Sequence, residues 1–285
     1  MGKILFRAGL FAAFAVLLVS AAAFFIRSPA LLVTDASFED LYGRSRSRGK
    51  RLELSLRLFR RVKTVEVAGD AGADLAAFAA EAALPSPYCV LFPYRYYQGA
   101  QRYARRFPQV PVAVLGGRVR DGAGIPGFIP TDTAADFYRA GLCASVLARE
   151  GTVLVMGEPS PVEREAFLDG LRAGDYGGML QYAGEAEESL PRADCIIIAG
   201  PGSFSSVRQN RAPLVLFSWV NPELTPGECR VIFDDSPWAL AAEAVKMAVR
   251  GNFGPLPSEA LVLKGRIGEK EVLRSLKEAV RSGGL

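Results

Sequence analysis

Residues 152–183 read TVLVMGEPSPVEREAFLDGLRAGDYGGMLQYA. Thr152 to Met156 form a short, unbroken apolar run, which Gly157 and Pro159 then interrupt. Pro161 opens the next segment, and proline suits a first helical turn because the N–H it lacks has no intrahelical partner there. From Pro161 to Ala173 the pattern predicts a helix that buries Val162, Phe167 and Leu171. A second strand follows over Gly178–Tyr182. Strand, helix and strand in this space make a βαβ unit, and continuous rather than alternating apolar runs suit a parallel sheet covered on both faces.

The same rhythm extends in both directions. Upstream, strands are expected at 30–34, 64–67, 88–92 and 110–115, and downstream at 194–198 and 213–217. Helices are expected at 74–83, which Pro85 stops, at 137–149 and at 238–249. Residues 51–62 suit a strand by their alternating leucines and a helix by Leu52, Leu56, Phe59 and Val62; the βαβ context favours the helix. A Gly- and Pro-rich stretch, 116–130, separates two series of four strands. The fold class expected is therefore α/β with two lobes, each a parallel sheet flanked by helices. The first lobe is placed at 29–128, with part of 229–285 returning to it, and the second at 129–228. Ligands of such folds sit outside the carboxyl ends of the strands.

Residues 1–28 form an export segment. Lys3 and Arg7 precede an apolar stretch from Ala8 to Ile26, interrupted only by Ser20, and Arg27 closes it. At 1.5 Å rise per residue this stretch is about long enough to span a bilayer as an N-terminal hydrophobic helix. A cleaved signal peptide, with Ala21–Ala23 as the small-residue site, and an uncleaved signal-anchor both fit. The length of the stretch favours the anchor. Either way the basic start stays cytoplasmic and the remainder is extracytoplasmic, in a periplasm where one exists.

Half of the 285 residues are hydrophobic, and there is no histidine. That removes Ser-His and Cys-His nucleophiles, His-ligated metals and a His proton shuttle. No GxSxG elbow is present either. No enzyme activity, cofactor or metal is expected. The four cysteines, at 89, 143, 195 and 229, form no close pair and read as buried thiols. Net charge is +4. Much of it lies in Arg44, Arg46, Arg48, Lys50, Arg51, Arg57, Arg60, Arg61 and Lys63. A solvated face is the simpler reading of that run, with anionic lipid or nucleic acid as the alternatives. Phe59 is the single aromatic residue within it, too few for a stacking surface, so no nucleic-acid partner is expected. Gly200-Pro201-Gly202-Ser203 lacks the third glycine and the lysine of phosphate-binding loops and reads as a turn.

Several segments, in order, resemble the basic membrane protein family, substrate-binding proteins of ABC importers with the type I periplasmic binding fold. They are Leu32–Asp35, the run Tyr103–Val110 with Gly116-Gly117 after the next strand, Asp136–Ala144, Gly157–Val162 with Phe167, Gly170 and Gly174, and Ala193–Gly200. Together they cover most of the chain after residue 30. The resemblance implies two lobes that close on a small molecule, an importer permease as partner, and no covalent chemistry. Three departures bear on the ligand. The first cleft loop, Asp35–Asp40, is shorter than the family's and has no Asn. The late strand runs into Ser218-Trp219-Val220-Asn221 with no acid before Glu223, where family acids engage ligand hydroxyls. Where the related sugar-binding branch carries an Arg, this chain has Glu163, with Arg164 one residue off.

The expected ligand-binding residues are Asp35 and Phe38 after the first strand, Phe92 and Tyr94 at the end of the third, Gly117 and Gly157 in the turns of the resemblance, and Trp219 with Asn221 after the late strand. Asp35 can accept hydrogen bonds, the aromatics can stack on a flat ring, and Asn221 can donate and accept. A flat polar ligand such as a nucleoside suits this set. A membrane-tethered sensor or scaffold on the same fold is the alternative.

Overall fold

The computed structural model describes residues 2–35, 44–67, 72–83, 86–118, 124–183, 192–199, 207, 212–217, 229–263 and 270–282. The chain divides into two compact units. Unit 1 comprises 1–115, 124–128 and 241–253; unit 2 comprises 116–123, 129–240 and 254–285.

Unit 1 begins with the helix α1 (Gly2–Ile26). Then follow β1 (Ala30–Asp35), α2 (Arg44–Leu58), β2 (Val62–Val67), α3 (Ala73–Ala83), β3 (Cys89–Pro93), a single 3-10 turn at Tyr94–Tyr96, α4 (Tyr97–Arg106) and β4 (Val112–Leu115). With β5 (Phe128–Ile129), which straddles the unit boundary, these strands form a sheet of order β2-β1-β3-β4-β5. The pairs β1–β2, β1–β3 and β3–β4 are parallel, with Asp35 opposite Val67 at the carboxyl end. All five residues of β3 are buried. Leu31, Val33, Val90, Phe92 and Val114 on the strands meet Ala76 and Ala80 of α3 and Ala100 and Tyr103 of α4 in one core. The small side chains of α3 let its backbone lie close to the sheet, as its Ala-rich sequence implies.

Unit 2 repeats the plan. It contains α5 (Thr133–Ala148), β6 (Thr152–Met156), α6 (Pro161–Ala173), β7 (Met179–Ala183), β8 (Cys195–Ile198), β9 (Leu214–Phe217) and β10 (Cys229–Asp234). The helix α7 (Pro237–Arg250) leaves it, and β11 (Glu259–Val262) and α8 (Lys270–Ser282) return to it. Its sheet order is β11-β10-β9-β8-β6-β7. All pairs are parallel except β10–β11, which is antiparallel, so one edge departs from the all-parallel expectation. β6, β8 and β9 are buried almost throughout, matching their two-sided apolar sequences. Phe137 stacks on Phe217 at 4.6 Å between ring centres, and Phe217 on Phe233 at 5.4 Å. Phe167 and Leu171 are buried as the helical pattern requires, whereas Val162 is 65% exposed. Its place in the first turn of α6 carries it out past the edge of the core.

Helices α5 and α6 pack through glycines. A Cβ on Gly141 would overlap the Phe167 carbonyl and lie 2.8 Å from the Leu171 nitrogen. A Cβ on Gly170 would overlap the Tyr138 carbonyl and lie 3.1 Å from the Gly141 Cα.

Cys89, Cys143 and Cys195 are buried and unbonded. Burial pushes the thiols of Cys89 and Cys143 up to about 12, and that of Cys195 up as well. They are packing groups rather than nucleophiles.

Among the described residues no helix is long and apolar enough to cross a membrane. Within α1 the residues described with their side chains are Leu10 and Ala12–Ile26.

A buried polar network lies where the chain enters and leaves unit 2. Asp136 of α5 accepts hydrogen bonds from the Ser258 backbone nitrogen at 2.9 Å, from the Ser258 hydroxyl and from Arg139 Nη2. The segment carrying Ser258 is also tied by Asp132 N to Leu256 O at 2.8 Å and Leu256 N to Pro130 O at 2.9 Å. Nearby, Thr131 donates to Asp235 Oδ2 at 3.3 Å. Burial pushes the Asp235 carboxyl up to about 6, with the charges of Asp136 and Asp234 adding to the shift. An acid whose native value is raised binds more protons folded than unfolded, so the native state loses stability as pH rises from about 4 to about 6. Asp235→Asn is expected to abolish that decline and to be more stable than wild type at pH 7, by on the order of 2 kcal/mol. Urea midpoints at pH 4.5 and 7 check this; parallel shifts of both proteins would contradict it.

Candidate functional site

The two sheets share one strand order, in which the first strand of each unit lies between the second and the third: β1 between β2 and β3, and β6 between β7 and β8. Connections therefore leave in opposite directions on either side of the β1–β3 and β6–β8 pairs, which opens a crevice outside the carboxyl ends of those strands.

In unit 2 a cavity of about 980 Å³ opens at the carboxyl ends of β6 and β7. Gly157 and Ala183, joined by a backbone hydrogen bond of 3.2 Å, form part of its lining. Gly157 has φ +98°, a conformation costly for any side chain, and turns the backbone sharply from β6 toward α6. Ser160 caps α6: its hydroxyl accepts from Glu163 N, and Glu163 Oε2 accepts from Ser160 N at 2.7 Å. Burial alone would raise the Glu163 carboxyl. Hydrogen bonds from Ser160 and Thr133, together with the Arg118 charge, outweigh that and hold it below its ordinary value. The residue standing where a sugar-binding arginine was sought thus serves the helix end, and Arg118 comes to it from the preceding loop.

The next residue does reach the cavity. Arg164 lies over the Tyr182 ring, 4.8 Å from its centre, and both line the space with Arg118, Glu158, Ser160 and Arg172. Burial pushes the Tyr182 hydroxyl up, opposed by the Arg164 charge, so the phenol stays a neutral donor at physiological pH. An aromatic ring, guanidinium donors and carboxylate acceptors within one cavity can hold a small, flat or hydroxylated molecule by stacking and hydrogen bonds. Among the described residues no group of three or more acids and cysteines is placed to hold a metal.

Of the expected site residues, Gly157 is in this cavity. Gly117, at φ +77°, accepts from Thr131 N at 3.1 Å and stands one residue before Arg118. Asp35 ends β1, opposite Val67. Tyr94, half-buried in unit 1, stacks on Tyr97 at 5.7 Å and 17°. Phe92 is fully buried beside Tyr103 in the core of unit 1, a packing role, because β3 is covered on both faces. Phe38, Trp219 and Asn221 lie outside the described residues. Arg118, Arg164 and Tyr182 were not selected from sequence. The one signal for Arg164 was its offset from the expected sugar-binding position.

A scan against protein-family models finds none that matches this chain, and a search of curated proteins finds no match. Solved structures do match over almost their whole length. A solute-binding protein of an ABC transporter system from Conexibacter woesei superposes with a TM-score of 0.60 at 13% identity, over 91% of this chain and 98% of that one. The chain has the α/β fold of the two-lobe periplasmic solute-binding proteins. A sugar-binding protein of an ABC transporter from Bacillus halodurans shares it, with a TM-score of 0.51 at 13% identity, over 86% of this chain and 99% of the other. A transcriptional activator of the comK gene, also from Bacillus halodurans, matches with a TM-score of 0.58 at 13% identity, over 90% and 97% of the two chains. The solute-binding fold thus carries more than one role among the relatives of this structure.

Proposed function

We propose that this protein is an exported, non-enzymatic solute-binding protein whose two lobes close on a small polar ligand and present it to an ABC importer. The observation that carries this reading is the unit 2 cavity, which sits at the carboxyl ends of β6 and β7 beside the point where strand order reverses. Its lining supports a flat polar ligand: Tyr182 as plate, Arg164 and Arg118 as donors, Glu158 as acceptor. A nucleoside-like molecule fits that description, and the basic membrane protein subtype is the corresponding finer proposal. Asp35, Phe38, Tyr94, Gly117, Trp219 and Asn221 are proposed as further contacts. Closure requires only that the ligand bind the closed form better than the open one. The location proposed is extracytoplasmic, with residues 8–26 as anchor.

A thermal-shift screen of nucleosides, sugars and amino acids tests this. A ligand at a hundredfold excess over its Kd stabilises by about 2.7 kcal/mol, a shift of several degrees. Arg164→Ala and Tyr182→Ala are each expected to weaken that ligand about tenfold or more, equivalent to about 1.4 kcal/mol. No shift with any class, or shifts untouched by both variants, would contradict the assignment.

The membrane-tethered sensor is a second reading, supported by the end of α1, where Phe24 meets Phe59 of unit 1 at 6.0 Å. Amino-terminal sequencing of the mature protein separates the two, since a start near residue 24 removes the tether.

A further inference from the structure

The basic run at 44–63 is not used by the cavity, and its three-dimensional form is specific. Leu54 and Ser55 of α2 are buried, and the Ser55 hydroxyl donates to Arg51 O at 2.8 Å and accepts from Val62 N at 3.1 Å. These contacts fix the rotation of the helix on β2. Leu52 and Leu56, one turn apart, are then left 63% and 65% exposed. Phe59 ends the helix at φ +48°, a conformation unfavourable for a bulky residue, and its ring remains 42% exposed. That ring touches the end of α1: Phe24 lies 6.0 Å from it and the Arg27 guanidinium 5.1 Å over it. Among the bases whose side chains are described, Lys50 faces Glu53 at 4.0 Å and the others divide into two groups. Arg60 lies 3.5 Å over the Tyr88 ring, and Lys63 donates to Ala83 O, so both serve the fold. Arg51, Arg57 and Arg61 are exposed beside the leucines.

Leucines and a phenylalanine facing outward, flanked by arginines and joined to an apolar helix, form the pattern of an interfacial membrane element. We propose that α2 and Phe59 lie on the surface of an anionic bilayer, with Leu52, Leu56 and Phe59 at the boundary of headgroups and acyl chains and Arg51, Arg57 and Arg61 on lipid phosphates. Charge complementarity and continuity with α1 both select a membrane over nucleic acid, which gives an outward leucine stripe nothing to enter. The placement rests on retention of α1, and the test separates the two. Unit 1 would thereby be held flat against the bilayer rather than swinging on its tether.

The experiment uses the full chain in nanodiscs, with Cys229→Ser as background and the other native thiols shielded by burial. An environment-sensitive fluorophore is attached in turn to the L56C, F78C and F14C variants, and doxyl-labelled lipids serve as quencher. Phe78, on α3, is equally exposed at 64% and is the control for mere proximity. In discs containing phosphatidylglycerol, the L56C probe is expected to be blue-shifted and quenched severalfold more than the F78C probe. Each exposed arginine contributes roughly fivefold to surface association. Arg51→Gln, Arg57→Gln and Arg61→Gln together, or discs of phosphatidylcholine alone, should therefore return the L56C probe to the control level. Quenching at F14C with none above control at L56C overturns the surface proposal and leaves the tether standing. Loss at F14C overturns the tether, and the L56C result still decides the surface. A shift at L56C produced by duplex DNA without anionic lipid overturns the proposal in favour of nucleic acid.

Discussion

Replacing Gly170 with alanine is expected to cost about 3 kcal/mol or more and to leave unit 2 partly unfolded at room temperature. The new methyl group would overlap the Tyr138 carbonyl oxygen, a backbone atom that cannot move aside like a side chain. The two helices would have to separate, opening the contact that Gly141 makes with the Phe167 carbonyl and disturbing the layer of Phe137, Phe167 and Leu171 beneath. Alanine's higher helix propensity offsets only about 1 kcal/mol. Gly49→Ala is the matched control. It lies inside α2 with nothing within 4 Å of its new Cβ, and should stabilise by up to about 1 kcal/mol. Urea denaturation followed by tryptophan fluorescence, with Trp238 buried in unit 2, measures the first, and far-UV circular dichroism along the same titration measures the second. A Gly170→Ala midpoint within error of wild type would mean that the helices do not meet as described.

The second large effect is at Asp136. Truncation to alanine leaves the Arg139 guanidinium buried with, among the described residues, the Ser258 and Val280 carbonyls and the face of Phe233 as partners. An uncompensated buried charge costs about 3–5 kcal/mol. The same truncation frees the Ser258 nitrogen and hydroxyl, so the segment returning at 254–258 is left with the Arg139 bond to the Ser258 carbonyl and the backbone ties at Leu256. The double change Asp136→Leu with Arg139→Met removes both charges and keeps apolar volume, and should recover much of the loss. The difference between single and double variants measures the coupling. A loss under 1 kcal/mol in Asp136→Ala would show that water reaches Arg139.

Much of this architecture is visible in local patterns. The helix at 161–173 coincides with its expected bounds because Ser160, Pro161 and Glu163 mark its start independently of tertiary structure. β6, β8 and β9 stand within one residue of their apolar runs because two-sided burial leaves no other composition available. What local reading missed depends on distant partners. β10 and β11 carry no polar alternation to mark them, and β11, at the edge, is a strand only because β10 lies beside it. α4 reads YQGAQRYARR, a surface helix whose buried side is two small residues and Tyr103. At the cavity, the turn at Gly157 was legible because backbone demands leave a glycine signature. Arg164 and Tyr182 were not, since their meeting needs α6 to cross over β7. Phe92 was misjudged for the reverse reason: a strand-end aromatic looks the same in sequence whether it faces a ligand or a core.

The central claim, that the unit 2 cavity holds a small polar solute, is tested most directly by titration calorimetry of the intact protein with the best ligand of the screen. One molecule per chain is predicted for wild type. The Arg164→Ala, Tyr182→Ala double variant, folded to the same midpoint, is predicted to bind at least thirtyfold more weakly, about 2 kcal/mol. Equal heats and affinities in the two proteins would contradict the account.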